Sequence, residues 1–229
     1  MVEKLIFFSY TQNEHEPKSR SKVHDLTLAT QLSVDRLPQL RAMTSSWKGE
    51  LHAAVLITSS SELTHVIHTL SVWKKCGVLY KTRLHLVLPR YRDLTAGDDA
   101  AAIEAWHREL TSSSDPCSDL PVFNSSGKKC RFDYPYNVMR NVARRQVETS
   151  HLLVVDVDVL PSPDIRSEFL RALSSTEGAG RAAFVVPAFE IKRGHRIPQN
   201  KKALESLIRA GKVRVFHEKT CPVCHKYTR

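Results

Sequence analysis

The 229-residue sequence lacks any apolar run close to the roughly 20 residues that a membrane-spanning helix needs. The apolar stretch from Leu5 to Phe8 is also too short to be the core of a signal peptide. The eight glycines and eleven prolines follow no period, which excludes a repeat array and a low-complexity chain. The sequence is therefore typical of a globular domain, and by itself it predicts no compartment.

Acidic residues are the minority among the charged ones, with 24 Asp and Glu against 34 Lys and Arg, a formal net charge of +10. Such a charge favours anionic partners: nucleic acid, a phospholipid surface, nucleotide phosphates or acidic sugars. The charge leaves a basic nucleic-acid-binding or nuclease-like protein open as an alternative. Because no helix-turn-helix, zinc-finger spacing or aromatic RNA-binding signature is visible, we expect no nucleic-acid partner.

The cysteines do not form an even set. There are five, so at least one is unpaired or pairs outside this chain. Asn124 begins an Asn-Ser-Ser acceptor triplet for N-glycosylation, which matters only in a secretory compartment. The three tryptophans are expected to be packing residues: Trp47, Trp73 and Trp106.

Short apolar runs alternate with stretches of helical period, which predicts βα units around a mostly parallel sheet. The predicted strands are Leu26 to Thr30, Leu51 to Ile57, Arg83 to Leu88, His151 to Asp156 and Ala182 to Pro187. The predicted helices are Ser61 to Lys75, Ala100 to Leu110, one that begins at Pro135 with Val138, Val142 and Val147 facing the sheet, and Asp164 to Leu173. Gly77 is expected to end the first helix. The Ser-rich stretch from Thr111 to Lys129 is predicted to be a surface loop.

Two aspartates follow the most apolar of these strands. Four apolar residues in a row before Asp156 predict a central strand buried on both faces. Asp156 and Asp158 are two positions apart, and in an extended chain such side chains project to the same side. The carboxyl ends of strands in open α/β sheets are where ligands bind. The pair is therefore a candidate site.

Two carboxylates are hard oxygen donors that suit manganese or magnesium, with water or a nucleoside diphosphate completing the coordination. The alternative is that Asp156 caps the strand and Asp158 forms a surface ion pair. The metal hypothesis requires the two side chains to converge. It also requires that no lysine or arginine occupies the space of the ion.

Five segments in the same order, from about Asp25 to the last residue, resemble glycosyltransferase family 49. They are Thr27 to Leu37, Tyr134 to Arg144, Val155 to Ser162, Val185 to Glu190 and Cys221 to His225. The resemblance implies a GT-A fold with a mostly parallel, Rossmann-like sheet flanked by helices. It also implies UDP-glucuronate as the donor, Mn²⁺ (or Mg²⁺) as the metal, and inverting transfer of glucuronic acid to a xylose-bearing acceptor of the O-mannosyl glycan of dystroglycan. The implied location is the Golgi, with the nucleotide sugar, the acceptor glycan and other Golgi glycosyltransferases as partners.

Within that resemblance, Asp156 and Asp158 match the metal-binding Asp-x-Asp, and Asp156 also contributes to donor binding. Asn137, Arg140 and Asn141, on the preceding helix, are the other predicted donor-binding residues. A guanidinium suits a phosphate or a carboxylate, so Arg140 is expected to hold the anionic donor. A salt bridge of Arg140 across the helix surface is the alternative.

The resemblance also divides the chain into an N-terminal extension, residues 1–24, and a nucleotide-sugar-binding part, residues 25–229. Compared with the family, the chain is expected to lack the membrane anchor and the acceptor-binding part with the histidine that completes the metal site. A catalytically silent, truncated paralogue is therefore another alternative. No general base is assigned, and Glu190, the one candidate carboxylate, has a structural role as its alternative. Cys221 and Cys224 are expected to form a local disulfide, with a zinc site that includes His217 and His225 as the alternative.

Overall fold

A computed structural model describes residues 5–10, 23–89, 117, 133–175, 184–221 and 223. The chain forms two compact units, Met1–Leu160 and Pro161–Arg229. Among the helices described, none is long and apolar enough to span a bilayer. Several predicted features lie outside the described residues: the helix from Ala100 to Leu110, Trp106, Asn124, Cys130, Cys224, His225 and, except for Cys117, the loop from Thr111 to Lys129.

The first unit contains a five-stranded sheet in the order β1, β4, β3, β2, β5. Its strands are β1 (Leu5–Tyr10), β2 (Val23–Ser33), β3 (Leu51–Leu56), β4 (Thr82–Pro89) and β5 (Thr149–Val154). All neighbours are parallel except β1, which pairs antiparallel with β4. The predicted α/β class with a mostly parallel sheet is confirmed. Strand β1, within residues 1–24, was not predicted.

The first two helices of this unit, α1 and α2, begin at residues that favour a helix start. Helix α1 (Leu37–Ser46), not predicted, has Pro38 in its first turn and buries Leu37, Leu40 and Met43. Helix α2 (Ser60–Lys75) begins with a reciprocal cap, because Ser59 Oγ accepts from the Glu62 N–H at 3.2 Å and Glu62 accepts from the Thr58 N–H at 2.8 Å. Gly77 follows α2 with φ of +71°, which confirms its predicted place after the helix.

Helix α3 (Tyr136–Arg144) packs directly on the sheet. Its buried residues Met139, Val142 and Ala143 share a core with Ala29 of β2 and Ala54 of β3. Small side chains on the strands let the helix approach closely. The prediction that Val142 faces the sheet is confirmed, whereas Val147 lies after the end of the helix.

Strand β5 lies at the edge of the sheet in the part of the chain that the structure describes, and it pairs with β2. Leu152 and Val154 are 37% and 41% exposed. The prediction of a central strand buried on both faces is therefore wrong. An apolar run is compatible with either position, because the position depends on which other segments cover the strand.

The second unit contains helix α4 (Ile165–Ser175), strand β6 (Phe189–Ile191), helix α5 (Lys201–Arg209) and strand β7 (Val213–Val215). Strands β6 and β7 pair antiparallel. Helix α5 begins at Asn200, whose side chain accepts from the Ala203 N–H at 2.9 Å. The strand predicted from Ala182 to Pro187 is wrong in its described part: residues 184–188 form no strand, and pairing begins at Phe189, past Pro187, which has no N–H to donate.

A disulfide joins Cys76, at the end of α2, to Cys117, with Cα atoms 5.5 Å apart. The sequence did not predict this pairing. Trp47 and Trp73 are buried, which confirms that they are packing residues. The Trp47 indole N–H donates to the Glu50 carbonyl at 2.9 Å.

Candidate functional site

The predicted aspartates lie in a turn and not in an extended strand. Strand β5 ends at Val154, and the Val155 N–H still donates to the Ala29 carbonyl at 3.1 Å. The Val159 N–H then donates to the Asp156 carbonyl at 2.9 Å, which closes a four-residue turn around buried Val157. The extended-chain argument for Asp156 and Asp158 is therefore wrong, although both remain within one turn after the strand.

One carboxylate oxygen of Asp156 accepts two hydrogen bonds. Gln31 Nε2 donates to Asp156 Oδ1 at 3.1 Å, and an Arg140 terminal nitrogen donates to the same oxygen at 2.9 Å. The Arg140 and Asp156 side chains are 40% and 48% exposed. Both donors bind Oδ1, and no described residue donates to Asp156 Oδ2.

Arg140 therefore pairs with Asp156 and does not form a salt bridge along its own helix. Its guanidinium also lies 5.8 Å from the centre of the exposed Tyr136 ring, which in turn lies 4.7 Å from the Tyr134 ring. The two-carboxylate hypothesis required that no arginine occupy the space of the ion, and the contact of Arg140 with Asp156 Oδ1 contradicts it on that side of the carboxylate. Any cation at this turn would have to use Oδ2.

Asp158 is exposed, and none of the described residues forms a hydrogen bond or ion pair with its carboxylate. Its surroundings differ in this respect from those of Asp156. Within the described ranges there is no cluster of three or more His, Cys, Asp or Glu residues that could hold a metal ion. The carboxylates that the described part of this turn offers are therefore those of Asp156 and Asp158.

Asn137 and Asn141 are exposed on α3. At 100° per residue they lie on the same side of the helix as Arg140, opposite the face that packs on the sheet. The structure brings only Arg140 of these three into contact with Asp156. The two asparagines keep their amides exposed beside it.

A groove of about 650 Å³ lies between the end of α3 and β5 and is lined by residues that include Asn141, Arg144, Arg145 and His151. Neither Asp156 nor Asp158 lines it. The candidate site is the hydrogen-bonded carboxylate and not this groove, because none of the described residues that line the groove is acidic.

Glu190 has a structural role in the second unit. It lies opposite Arg214 across β6 and β7, and its Oε2 accepts from Arg214 Nε at 2.6 Å. Its Oε1 accepts from the His217 N–H at 3.0 Å. The Arg214 hydrogen bond, followed by that of the His217 backbone, lowers the pKa of Glu190. A carboxylate that is stabilised in its charged form is a weak base, so the structural alternative is favoured.

The described part of the segment from His217 to Cys221 is not arranged for zinc. Cys221 is disulfide-bonded, and its sulfur is therefore not a thiolate ligand. His217 Nδ1 lies 2.8 Å from Thr220 Oγ1. Because Cys224 lies outside the described residues, the Cys221–Cys224 pairing stays a prediction.

Gln31 is the site residue that sequence reasoning did not identify. It lies in a segment that was noted for its family resemblance, but no role followed from its residue type. The sequence does contain one indication of its role. Gln31 is the one amide in the run from Leu26 to Leu32, and an amide that is buried in a strand needs a polar partner.

The mostly parallel sheet with flanking helices and an acidic turn after a strand is the fold of a GT-A type glycosyltransferase. Residues 25–229 match the glycosyltransferase 49 family model, described as "Glycosyl-transferase for dystroglycan". The chain belongs to this family. The match contains all of the candidate site residues named above.

Curated relatives agree with this assignment. The chain is 32% identical to beta-1,4-glucuronyltransferase 1 of Mus musculus over 92% of its length, and 27% identical to the Danio rerio protein of that name over 98%. It is 29% identical to the xylosyl- and glucuronyltransferase LARGE2 of Homo sapiens over 93% of its length. The chain spans 51% and 53% of the two beta-1,4-glucuronyltransferases and 24% of LARGE2. It thus corresponds to about half of the former proteins.

Proposed function

We propose that this chain is the donor-binding part of a glucuronyltransferase that transfers glucuronic acid from UDP-glucuronate to a xylose-bearing acceptor glycan of the dystroglycan type, with inversion. The observation that carries the proposal is the family match over residues 25–229, which includes the turn with Asp156 and Asp158. The names of the relatives support the transferred sugar: two are beta-1,4-glucuronyltransferases, and the third is a xylosyl- and glucuronyltransferase.

Asp156, through Oδ2, and Asp158 would hold a manganese or magnesium ion. Both offer hard carboxylate oxygens with no donor from a described residue, which fits such an ion. When bound, the ion would neutralise charge on the leaving diphosphate as a Lewis acid. With two protein ligands, the nucleotide and water would supply the remaining positions.

Arg140 would stabilise the anionic donor from the α3 side of the site. Its contact with Asp156 keeps the guanidinium beside the turn, and its 40% exposure lets it reach a phosphate or the glucuronate carboxylate. Asn137 and Asn141, exposed on the same side of α3, would add neutral donors for sugar or phosphate oxygens. The general base for the acceptor hydroxyl is not assigned to a described residue.

A lumenal, oxidising location fits the cysteine chemistry. The Cys76–Cys117 disulfide is of the kind that persists in secretory compartments and is rare in the cytosol. We propose the Golgi lumen as the compartment, because glycoproteins would be the substrates of such an enzyme there.

Isothermal titration calorimetry with UDP, in the presence and absence of Mn²⁺, tests the proposal. We expect binding that depends on manganese in the wild-type chain and loses at least about tenfold in affinity in Asp156→Ala and Asp158→Ala, because each removes one of two acidic ligands. Asp164→Ala, which removes an exposed aspartate outside the turn, should bind like the wild type.

No manganese-dependent UDP binding by the wild type, or unchanged binding by Asp156→Ala, would contradict the proposed site. The identity of the sugar is tested separately, by comparing transfer from UDP-glucuronate and UDP-xylose to a xylose-terminated acceptor. Transfer of xylose alone would refute glucuronyl transfer.

A further inference from the structure

We propose that Gln31 is a positioning residue for the metal-binding carboxylate: its amide holds Asp156 Oδ1 so that Oδ2 is presented to the divalent cation. This inference rests on the proposed function, because it concerns the same cation site. Gln31 would not touch the cation or the donor. It would act through Asp156.

The backbone at Gln31 is paired with β3, and β2 is held on its other side up to Ala29. Gln31 lies in register with Ala54 of β3, and two residues earlier the Ala29 carbonyl accepts from the Val155 N–H. The register of β2 with β5 ends at Ala29 and Val154, so Gln31 lies alongside the chain where it turns at Asp156. A side chain that starts from an inner strand of the sheet therefore reaches the turn from a rigid position.

The two partners differ sharply in burial. Gln31 is 5% exposed, whereas the Asp156 side chain is 48% exposed. A buried amide has few alternative partners and loses a hydrogen bond if Asp156 rotates away, which is unfavourable for a buried polar group. The carboxylate is therefore held in one orientation although most of its surroundings are open.

The second donor to Oδ1 is suited to a different task. Arg140 is charged, 40% exposed and also close to the Tyr136 ring, so it can turn toward an anionic ligand without burying a charge. If it does so, Gln31 is the donor that remains on Oδ1 among the described residues. A neutral amide holds the carboxylate without cancelling the negative charge that a cation requires.

Partners that hydrogen-bond a metal-ligating carboxylate fix its orientation, and their loss costs about 10–100-fold in metal affinity. Two variants of the full chain remove the Gln31 contact in different ways. Gln31→Met keeps the length of the side chain without its N–H groups, and Gln31→Asn keeps the amide but shortens its reach by one methylene. If either variant fails to fold, the other one carries the test.

Thr30→Val is the matched control. Thr30 is the buried neighbour on the same strand, its side chain projects to the opposite face, and its hydroxyl has no hydrogen-bond partner. The measurements are Mn²⁺ titration by calorimetry at saturating UDP, UDP titration without metal, and the thermal unfolding midpoint without ligands.

We expect the Mn²⁺ dissociation constant to rise about tenfold or more in both Gln31 variants and to stay unchanged in Thr30→Val. Without metal, UDP binding should be equally weak in the wild type and in both Gln31 variants, and their unfolding midpoints should stay close to that of Thr30→Val, whereas a general loss of structure would lower the midpoint. If the wild type binds Mn²⁺ with UDP and both Gln31 variants bind it equally well, the role of Gln31 is refuted while the proposed function stands. If the wild type itself binds no Mn²⁺ with UDP, the proposed function fails and the role of Gln31 fails with it.

Discussion

At the scale of residues, His52 of β3 and His85 of β4 are the buried centre of a polar cluster. This cluster is separate from the acidic turn after β5. His52 and His85 are buried, and His85 Nε2 lies 3.3 Å from His52 Nδ1. His52 Nε2 lies 3.1 Å from a Glu50 carboxylate oxygen, which also accepts from Arg83 Nε at 2.8 Å. Each ring thus hydrogen-bonds as a neutral imidazole when Nε2 carries the proton in both histidines.

This cluster predicts a loss of stability in mild acid. Burial, with smaller contributions from His52 and Arg83, lowers the pKa of His85 from 6.5 to about 4. The unfolded chain then binds more protons than the folded one between these values, so the stabilisation is complete above pH 6.5 and is lost as the pH falls toward 4. The full loss amounts to about 3 kcal/mol, of which about 2 kcal/mol falls between pH 7 and pH 5. Urea unfolding at pH 7 and pH 5 measures it.

His85→Gln is the variant that isolates this effect, because its amide can still donate to His52 but does not titrate. The difference in unfolding free energy between pH 7 and pH 5 should shrink in this variant. An equally large difference would assign the acid sensitivity to another group. Glu50 is not that group in this window: its hydrogen bond with His52 lowers its pKa below 4.5, so its contribution is lost only at a lower pH.

At the scale of elements, α3 links the core to the candidate site. Its inner face packs Met139 and Ala143 against Ala29 and Ala54, and its outer face carries Arg140. Because the same short helix packs on the sheet and carries Arg140, the position of the Arg140 guanidinium depends on the packing of α3.

Met139→Ala is therefore expected to lower the unfolding free energy by about 2–5 kcal/mol, since it removes a fully buried side chain and leaves a cavity over the sheet. Chemical denaturation measures this loss. Asn141→Ala, exposed on the opposite side of the same helix, should not destabilise the protein. Equal stability of Met139→Ala and the wild type would show that α3 is not held by this contact.

Elements with strong local signals were predictable from the sequence. Strands β3 and β4 are short segments rich in Leu, Val and Ala, and α2 has its cap residues in place, so their predicted bounds agree with the structure within about one residue. Strand β1 and helix α1 were missed. The edge position of β5 and the turn at Asp156 were also predicted wrongly, because strand order and backbone direction depend on contacts far away in the sequence. The same holds for the Gln31–Asp156 bond, which spans 125 residues.

At the scale of the whole molecule, the residues of the candidate donor site all belong to the first compact unit, and Glu190 belongs to the second. The family resemblance predicted the class of the protein and singled out Asp156 and Asp158 as a pair. It did not predict how Asp156 is held, since a family motif records residue types and not hydrogen bonds. The hydrogen bonds of Arg140 and Gln31 to Asp156 Oδ1 therefore explain how the Asp156 side chain is held.

The Cys76–Cys117 disulfide allows a last prediction about the stability of the whole chain. The two cysteines are 41 residues apart, and a cross-link over such a loop restricts the unfolded chain by roughly 4 kcal/mol. The double variant Cys76→Ala/Cys117→Ala should lose stability of this order in chemical denaturation under oxidising conditions. Variants at these positions leave Cys221 oxidised, so the loss reports on this cross-link alone, whereas a reductant would open both disulfides. Wild-type stability of the double variant would mean that the cross-link contributes nothing to the stability of the folded chain.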